Sequence, residues 1–548
     1  MLKKKFTVKD YLYLGVIFIF ASYLISIFLI NLTGRVWSNY DIYSDAILAK
    51  YMWQDKTLFP DGWYFGNQIY VVATPVAAAL FYGIVGDAYL ALALASCFMT
   101  IGIVLSYIWC VKPFINVKSI LVSLLVVIGG TNIGFTAHGD WAGFQIFYTM
   151  ASYYACYIIG IFLTLGVVFR LANHSKVPIA VQACVLIYNL ALGMQSLREM
   201  LVLNLPLCAT VFLNIILHYK DLKKHLQEKK NSYIFVFLAL LSNICGLFIT
   251  KILTANGIVK QSTIVSGVNS DIWYNFKIAA RSILEYIGFN VPATSKDLLE
   301  LIGGIFSVGI VLLSLISIFR EYKKDKKISV MGYAILFFVI SLLAVFCAGL
   351  VVIRVRDIYY FCWYFLVAVS TAKLMEETWE KNQKWLEWLK YFLMAGLIVI
   401  SICNYDFTFV QTYKWLPDSN QLYQNIVNQL QEDEIRYLYS DWRTERNEIS
   451  AMSFDEIQYG TLEFSGNPED LWLDLECLYH EDWFNPENFE HAYIVLSDYA
   501  IYCLYAEFSQ EYAKVFMDNL EHVYSIQADG EELNFYIGSD KMYMDMIR

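Results

Sequence analysis

The sequence predicts a polytopic α-helical membrane protein with about eleven transmembrane helices and a C-terminal extracytoplasmic α/β domain. Of its 548 residues, 58% are hydrophobic and only 16% are charged, whereas soluble globular proteins carry about 25% charged residues. Apolar runs of about 20 residues, the length that crosses a bilayer core, recur up to residue 405. Residues 406–548 lack such runs and are rich in acidic side chains.

The apolar runs define a predicted transmembrane domain over residues 1–405. The first run is too long for a secretory signal and lacks a clear small-residue cleavage site, so we expect an uncleaved anchor. The predicted spans are 11–32, 88–111, 119–135, 142–169, 178–197, 199–218, 233–254, 299–319, 330–353, 358–374 and 388–405.

Basic residues recur after every even-numbered span. Lysines 3–5 precede the first span, and the basic loops are 112–118, 170–176, 220–230, 320–327 and 381–384. Because short cytoplasmic loops carry an excess of Lys and Arg, the N-terminus is predicted to be cytoplasmic. The chain is thus predicted to cross the plasma membrane many times. With eleven spans, its C-terminal domain lies outside the cell.

Two large outer loops are predicted, at 33–87 and 255–298. The apolar stretch Ile69–Val85 in the first loop has two interpretations. Counting it as a span would place the lysine-rich loop 220–230 outside, so we favour an interfacial helix with Pro75 inside it. The second loop is expected to contain another interfacial helix around Trp273–Tyr286.

Residues 406–548 form a predicted acidic domain, with 29 acidic and 7 basic residues and a net charge of −22. The remaining residues carry +12, an arrangement that argues against nucleic-acid binding. Most of the acids are expected to form a solvated surface. Strands are predicted at Ile435–Tyr439, Ala492–Leu496 and Leu533–Ile537, and helices at Leu422–Leu430 and Tyr512–Leu520.

The eleven cysteines are scattered singly and show no zinc or redox spacing, so we interpret them as small buried hydrophobic residues. Cys477 and Cys503 fall in the acidic domain. Whether they pair is left open by the sequence.

Ionisable residues are almost absent from the interiors of the spans between 88 and 374, which weighs against a proton- or ion-coupled transporter. Charged groups collect instead at the predicted outer ends of the spans. These are Asp41 and Asp45 in the first outer loop, His138 and Asp140 between spans three and four, Arg198 and Glu199 between five and six, and Arg354, Arg356 and Asp357 between nine and ten.

Acidic and guanidinium groups at one membrane surface suit chemistry on phosphates. Asp41 and Asp45 are four residues apart and share one face of a helix. They can serve as a general base, as a pair of metal ligands, or as solvated charges. Each Arg can clamp a phosphate or anchor its helix by reaching the interface.

The first outer loop resembles that of the GT-C superfamily of membrane glycosyltransferases, which take sugars from polyprenyl-phosphate carriers. In that family an Asp is followed by a helix of the form A–K–x–M and then by a W-Y stretch. The matching residues are Asp45, Ala49, Lys50, Met52, Trp63 and Tyr64. The layout is also similar to that of protein mannosyltransferases and aminoarabinose transferases.

Later segments extend the resemblance over about 400 residues. Leu80-Phe-Tyr-Gly83 resembles the end of the family's interfacial segment, and Asp140 occupies the place of its second acidic motif. Arg198 lies in a turn where many members carry Lys or Arg. The stretch from Arg354 to Tyr360 looks like the Arg-Tyr motif that opens a late span.

One departure concerns the interfacial segment, where several relatives have a Glu-Lys-Pro sequence whose Lys contacts the carrier phosphate. Here the segment reads Gly66-Asn-Gln-Ile-Tyr70, without a Lys. The resemblance therefore implies that contact with the donor phosphate comes from Arg198, Arg354 or Arg356.

The resemblance implies an inverting transfer of a sugar from a polyprenyl-phosphate donor to an extracytoplasmic glycan, glycolipid or protein acceptor. Asp45 is the first candidate base, followed by Asp41 and Asp140. Lys50, His138, Glu199 and Tyr360 are candidate substrate contacts. A divalent metal is left open, because some members need one and others do not.

Two alternatives remain at this stage. A polysaccharide polymerase or ligase usually has a large outer loop with Arg-rich motifs, for which the loop at 255–298 offers Lys260, Lys277, Arg281 and Lys296. A non-catalytic flippase or assembly factor for lipid-linked glycans would use the same acids and arginines for binding only.

Overall fold

The computed structural model describes residues 8–129, 148–149, 153–261, 271–289, 294–351, 357–380, 384–444, 446–474 and 478–547. Each of the eleven predicted spans overlaps a helix in these ranges. The helices up to residue 405 are α1 (Val8–Thr33), α2 (Tyr40–Gln54), α3 (Thr74–Val85), α4 (Ala88–Val111), α5 (Val117–Gly129), α6 (Ala155–Ala172), α7 (Ile179–Gln195), α8 (Leu205–Leu217), α9 (Leu222–Ala255), α10 (Ile272–Ile287), α11 (Ser295–Asp325), α12 (Val330–Gly349), α13 (Cys362–Glu380) and α14 (Lys384–Tyr405).

Eight helical segments of the described chain are long and apolar enough to cross a membrane, so the protein is a multi-pass membrane protein. Helices α5 and α7 are apolar but shorter, at 13 and 17 residues. Helix α13 carries Lys373, Glu376 and Glu377 towards its C-terminal end. The number of eleven crossings stays a prediction.

The apolar stretch at 69–85 contains a helix that is shorter than predicted. Helix α3 begins only at Thr74, and Pro75 lies in its first turn rather than inside it. Pro is tolerated there because the first N–H groups of a helix have no intrahelical partner. With 12 residues, α3 is about 18 Å long, too short to cross a core of about 30 Å.

The second loop contains the predicted helix, α10, which spans Ile272–Ile287. Trp273 and Phe276 are exposed on it, and their rings stack with centroids 5.3 Å apart. An exposed aromatic face of this kind is typical of helices that lie at a membrane interface. The position of α10 relative to the bilayer stays a prediction.

The chain remains helical beyond the last predicted span. A π-helical turn, Asp406–Val410, joins α14 to α15 (Gln411–Glu432). A six-stranded sheet follows, with strand order β5-β4-β3-β7-β9-β8. Its strands are β3 (Tyr437–Asp441), β4 (Gln458–Asn467), β5 (Asp470–Asp474), β7 (Ala492–Ser497), β8 (Leu520–Ala528) and β9 (Glu531–Gly538). Four short helices accompany it: α16 (Asn447–Met452), α17 (Asp498–Glu507), α18 (Gln510–Asp518) and α19 (Asp540–Asp545).

The sheet confirms the predicted α/β character of this domain. Its centre, β3, pairs in parallel with both β4 and β7, and the outer pairs are antiparallel. The three predicted strands overlap β3, β7 and β9, and the two predicted helices overlap α15 and α18. Of the two cysteines considered for pairing, Cys503 is buried with a free thiol, and Cys477 lies outside the described residues.

A second, three-stranded sheet connects the C-terminal domain to both large loops. Strand β1 (Trp63–Phe65) lies in its centre, parallel to β2 (Lys260–Gln261) and antiparallel to β6 (Tyr479–His480). Next to it, the ring of Tyr51 stacks on His480 with centroids 4.1 Å apart. The C-terminal domain therefore lies on the same face of the helical bundle as the two large loops.

Candidate active site

Helix α2 carries both acids of the first loop. Asn39 caps its N-terminus, since the Asn39 side chain accepts a hydrogen bond from Ile42 N at 2.9 Å. The four-residue spacing places Asp41 and Asp45 on one face, as predicted. Asp45 is only 2% exposed, and Asp41, one turn earlier, is half-buried.

The carboxyl group of Asp45 lies in a poorly solvated environment. Burial raises the pKa of Asp45 well above its ordinary value, and the negative charge of Asp41 raises it further, whereas a hydrogen bond from Tyr70 opposes both effects. The Oδ2 atom of Asp45 is buried and has no hydrogen-bond partner among the described residues. A carboxylate oxygen in this state is available to a substrate proton.

Arg198 lies in the turn between α7 and α8, within a cluster of aromatic rings. Its guanidinium carbon is 4.5 Å from the ring centroid of Tyr154 and 5.4 Å from the centroids of both Tyr157 and Tyr359. The same guanidinium donates a hydrogen bond to Gln68 Oε1 at 3.1 Å. The ring faces attract the cation and hold it in place, and no carboxylate among the described side chains forms an ion pair with it.

Residues 66–73 join the two charged groups. The Tyr70 hydroxyl lies near enough to the carboxyl group of Asp45 to lower its pKa, and it also interacts with Gln68. Gln68 Oε1 accepts hydrogen bonds from Arg198 and, at 3.3 Å, from the Tyr157 hydroxyl. A row of polar side chains thus runs from Asp45 through Tyr70 and Gln68 to Arg198, and the last two are hydrogen-bonded. The structure brings together the two groups that the sequence proposed as base and phosphate ligand.

The end of α7 fixes this connecting segment. Gln195 Oε1 accepts hydrogen bonds from the backbone N–H groups of Val71 and Val72 at 3.0 and 2.7 Å, and its carbonyl accepts one from Ile69 N at 3.2 Å. Gln195 is 2% exposed. Because the segment is held by backbone contacts, Gln68 and Tyr70 keep their positions between α2 and α7.

The other predicted site residues lie in different surroundings. Lys50 forms an ion pair with Asp455 of the C-terminal domain, and Tyr360 is buried, with its hydroxyl donating to Ala279 O at 3.3 Å. Glu199 is fully buried, and neither of its carboxylate oxygens has a partner among the described residues. Their roles as substrate contacts stay predictions.

Four predicted site residues, His138, Asp140, Arg354 and Arg356, lie outside the described residues. The divalent metal that the sequence left open stays a prediction as well. Within the described ranges, no three His, Cys, Asp or Glu side chains come together as metal ligands.

Sequence reasoning did not assign a role to Gln68, Tyr70, Tyr154, Tyr157 or Gln195. A signal for the first two was present, since they occupy the segment where several GT-C members carry the phosphate-binding Lys. The tyrosines at 153, 154 and 157 precede or begin α6, which starts at Ala155, well inside the predicted span 142–169. Several tyrosine hydroxyl groups at the end of an apolar helix indicate a candidate binding site.

The whole-chain architecture is similar to that of a protein of known structure. The crystal structure of ArnT from Cupriavidus metallidurans in the apo state superposes with a TM-score of 0.53 at 9% sequence identity, covering 96% of this chain and 99% of that chain. The chain therefore has the GT-C fold of ArnT, an aminoarabinose transferase.

A second structure of the same protein, ArnT from Cupriavidus metallidurans bound to undecaprenyl phosphate, aligns over the same shares of both chains with a TM-score of 0.47 and 11% identity. No protein-family profile matches the sequence, and no curated protein sequence matches it.

Proposed function

We propose that the protein is a membrane glycosyltransferase that moves a sugar from a polyprenyl-phosphate carrier to an acceptor at the extracytoplasmic surface. The GT-C fold supports this class of activity. The single observation that carries the proposal is the buried Asp45 carboxylate, with one free oxygen, linked through Tyr70 and Gln68 to Arg198. A base and a phosphate ligand at one site are the two groups that this transfer requires.

In the proposed reaction, an acceptor hydroxyl attacks the anomeric carbon of the sugar in one displacement. The bond from that carbon to the phosphate oxygen breaks, and the polyprenyl phosphate leaves with its electron pair. Asp45 takes the hydroxyl proton, and its raised pKa makes it a stronger base than a solvated carboxylate. Arg198 stabilises the charge that develops on the leaving phosphate.

The aromatic cluster and Gln68 have separate tasks in this scheme. Tyr154, Tyr157 and Tyr359 hold the Arg198 guanidinium, so that its orientation is set before the donor binds. Gln68 replaces the Lys of other GT-C members as a neighbour of the phosphate ligand. Arg354 and Arg356 are proposed as further phosphate ligands, and Asp140 as a second acidic group at the acceptor.

The experiment compares Asp45→Asn with Asp55→Asn, a matched control at the exposed end of α2. We expect Asp45→Asn to lower formation of the glycosylated surface product by about 10²- to 10⁴-fold, the range for loss of a general base, and Asp55→Asn to leave it unchanged. Mass spectrometry of released surface glycans, at equal protein levels, measures both. Normal glycans with Asp45→Asn would contradict catalysis and support a non-catalytic role in binding or flipping.

A binding measurement separates donor recognition from chemistry. Purified Arg198→Gln should bind undecaprenyl phosphate about 10-fold or more weakly, because a charged hydrogen bond contributes about 1.5–3 kcal/mol. Asp45→Asn should bind that probe as the unchanged protein does. Arg281→Gln is the control, since Arg281 is largely exposed and pairs with Glu285 in its own helix. Unchanged binding by Arg198→Gln would remove Arg198 from the donor site.

A further inference from the structure

Four large aromatic side chains are exposed in one part of the C-terminal domain. Trp442 follows the end of β3, and Tyr499, Tyr502 and Tyr505 lie on α17. The exposed fractions of these four side chains run from 50% to 68%. Single exposed aromatic residues are common on protein surfaces, but a group of them in one place is typical of a binding site.

The helical spacing of the three tyrosines places them along one side of α17. Residues three apart are neighbours on a helix surface, so Tyr499 lies next to Tyr502, and Tyr502 lies next to Tyr505. The opposite side of the helix packs on the domain through Ala500 and Leu504, which are buried. The three tyrosines therefore form a row that faces the solvent.

Arg443 connects Trp442 to this row. Its guanidinium carbon lies 4.6 Å from the ring centroid of Trp442. The guanidinium group also donates to Asp441 Oδ2 at 2.6 Å and to the carboxylate of Glu507 at the end of α17. Tyr499 is close enough to Glu507 and Arg443 for both charges to act on its hydroxyl group. Two ion pairs therefore fix the arginine between the Trp442 ring and the tyrosine row.

This aromatic surface, made of Trp442, Tyr499, Tyr502 and Tyr505, lies at the carboxyl ends of the central strands. Strand β3 pairs in parallel with β4 on one side and with β7 on the other. Trp442 directly follows β3, and α17 directly follows β7. Ligands of open α/β sheets bind outside the carboxyl ends of the strands, at the point where the strand order diverges in this way.

The chemistry of the aromatic surface suits a neutral sugar chain. One face of a sugar ring presents C–H groups that pack on an aromatic ring, and the hydroxyl groups at its edge hydrogen-bond with carboxylate and phenol groups. Asp498 and Glu507 are exposed beside the rings, whereas Arg443 is already paired with acidic side chains. Since residues 406–548 carry a net charge of −22, an anionic polymer would be repelled.

We infer that the aromatic surface binds a neutral glycan chain that serves as the acceptor, a role that rests on the proposed sugar transfer. The start of β4 faces the bundle, because Tyr459 N donates to the Tyr43 hydroxyl of α2. The carboxyl ends of β3 and β4 therefore point away from the bundle and from Asp45. The surface holds a remote part of the chain, which raises the local concentration of the chain end near Asp45.

The test measures binding of the purified full-length protein, in detergent, to immobilised polysaccharides released from the surface of the source cells and separated into neutral and acidic fractions. We expect the neutral fraction to bind more tightly. Tyr502→Ala and Trp442→Ala should each weaken this binding about 10-fold, as truncation of an aromatic ring in a binding surface does. Tyr502→Phe keeps the ring and should bind as the unchanged protein does. Tyr219→Ala is the matched control, since Tyr219 is as exposed as Tyr502 but lies in the turn between α8 and α9.

The Asp45→Asn variant separates this inference from the proposed function, because it should lose transfer and still bind the neutral fraction as the unchanged protein does. Normal transfer by Asp45→Asn would overturn the acceptor role together with the proposed function. Tighter binding of the acidic fraction, or equal binding by Tyr502→Ala and Tyr219→Ala, would overturn the inference even if transfer depends on Asp45. Absence of binding to either fraction would also overturn it and would favour a protein partner for this surface.

Discussion

The carboxyl group of Asp45 combines strong burial with one unoccupied oxygen. Three effects set its proton affinity in known directions: burial and the charge of Asp41 raise the pKa of Asp45, and the Tyr70 hydroxyl lowers it. If Asp45 acts as a base, it must be ionised, so activity is lost as the pH falls through its raised pKa. The pKa of the candidate base thus depends on the neighbouring side chains of Asp41 and Tyr70.

A first prediction follows from these signs. Asp41→Asn removes a like charge, lowers the pKa of Asp45, and should move the acidic limb of the pH–rate profile to lower pH. Tyr70→Phe removes a hydrogen bond to the ionised form and should move the same limb to higher pH. The measurement is kcat/KM for sugar transfer against pH, with Asp55→Asn as the control. Movement of both variants in one direction would contradict the assignment of this limb to Asp45.

At the scale of elements, the site depends on segments that contact each other across the fold. Residues 66–73 follow β1 and form neither a helix nor a strand. Gln195, at the end of α7, fixes this stretch by hydrogen bonds to its backbone. Helix α2 is fixed from the other side by the C-terminal domain: Tyr459 N donates to the Tyr43 hydroxyl at 3.0 Å, and Asp455 pairs with Lys50. The stretch 66–73, the end of α7 and the C-terminal domain therefore all help to position Asp45 and Arg198.

A second prediction concerns the role of Gln195. Gln195→Ala leaves the backbone N–H groups of Val71 and Val72, which are partly buried, without their acceptor. It should weaken binding of undecaprenyl phosphate, because Gln68 loses its fixed position beside Arg198. Gln195→Glu keeps an oxygen at this place and should bind more tightly than the Ala variant. Equal binding by the two variants would show that the segment is held by other contacts. Native mass spectrometry with undecaprenyl phosphate measures the binding by each variant.

A third prediction concerns the ion pair between α2 and the C-terminal domain. Lys50→Met leaves the buried Asp455 carboxylate without its cation and should destabilise the protein by about 2 kcal/mol. The double variant Lys50→Met, Asp455→Leu removes both charges and should recover much of that loss. Thermal denaturation of the purified protein in detergent compares them. A double variant as unstable as the single one would show that the loss comes from packing instead.

For the whole molecule, the C-terminal domain and both large loops lie on one face of the bundle, since β6, β1 and β2 share a sheet. This common face agrees with the predicted outer position of all three. Their side of the membrane is itself a prediction, which depends on the basic loops at the opposite ends of the spans.

A fourth prediction tests that orientation. A membrane-impermeant thiol reagent should label Glu469→Cys, an exposed position of the C-terminal domain, in intact cells. Lys223→Cys, an exposed position in the predicted cytoplasmic extension of α9, should be labelled only after lysis. Labelling above that of the unchanged protein is measured for both. The reverse pattern would invert the topology and place the Asp45 site on the cytoplasmic side.

The amino-acid sequence by itself determined the membrane class, the positions of the helices and the α/β nature of the C-terminal domain. Hydropathy and side-chain periodicity are local properties, so they can be interpreted segment by segment. Only the tertiary structure decided which residues lie between Asp45 and Arg198, because Tyr70, Gln68 and Gln195 act through contacts between segments that are far apart in the chain. It also decided that Lys50 faces the C-terminal domain, since the direction of a side chain on a helix depends on what packs against that helix.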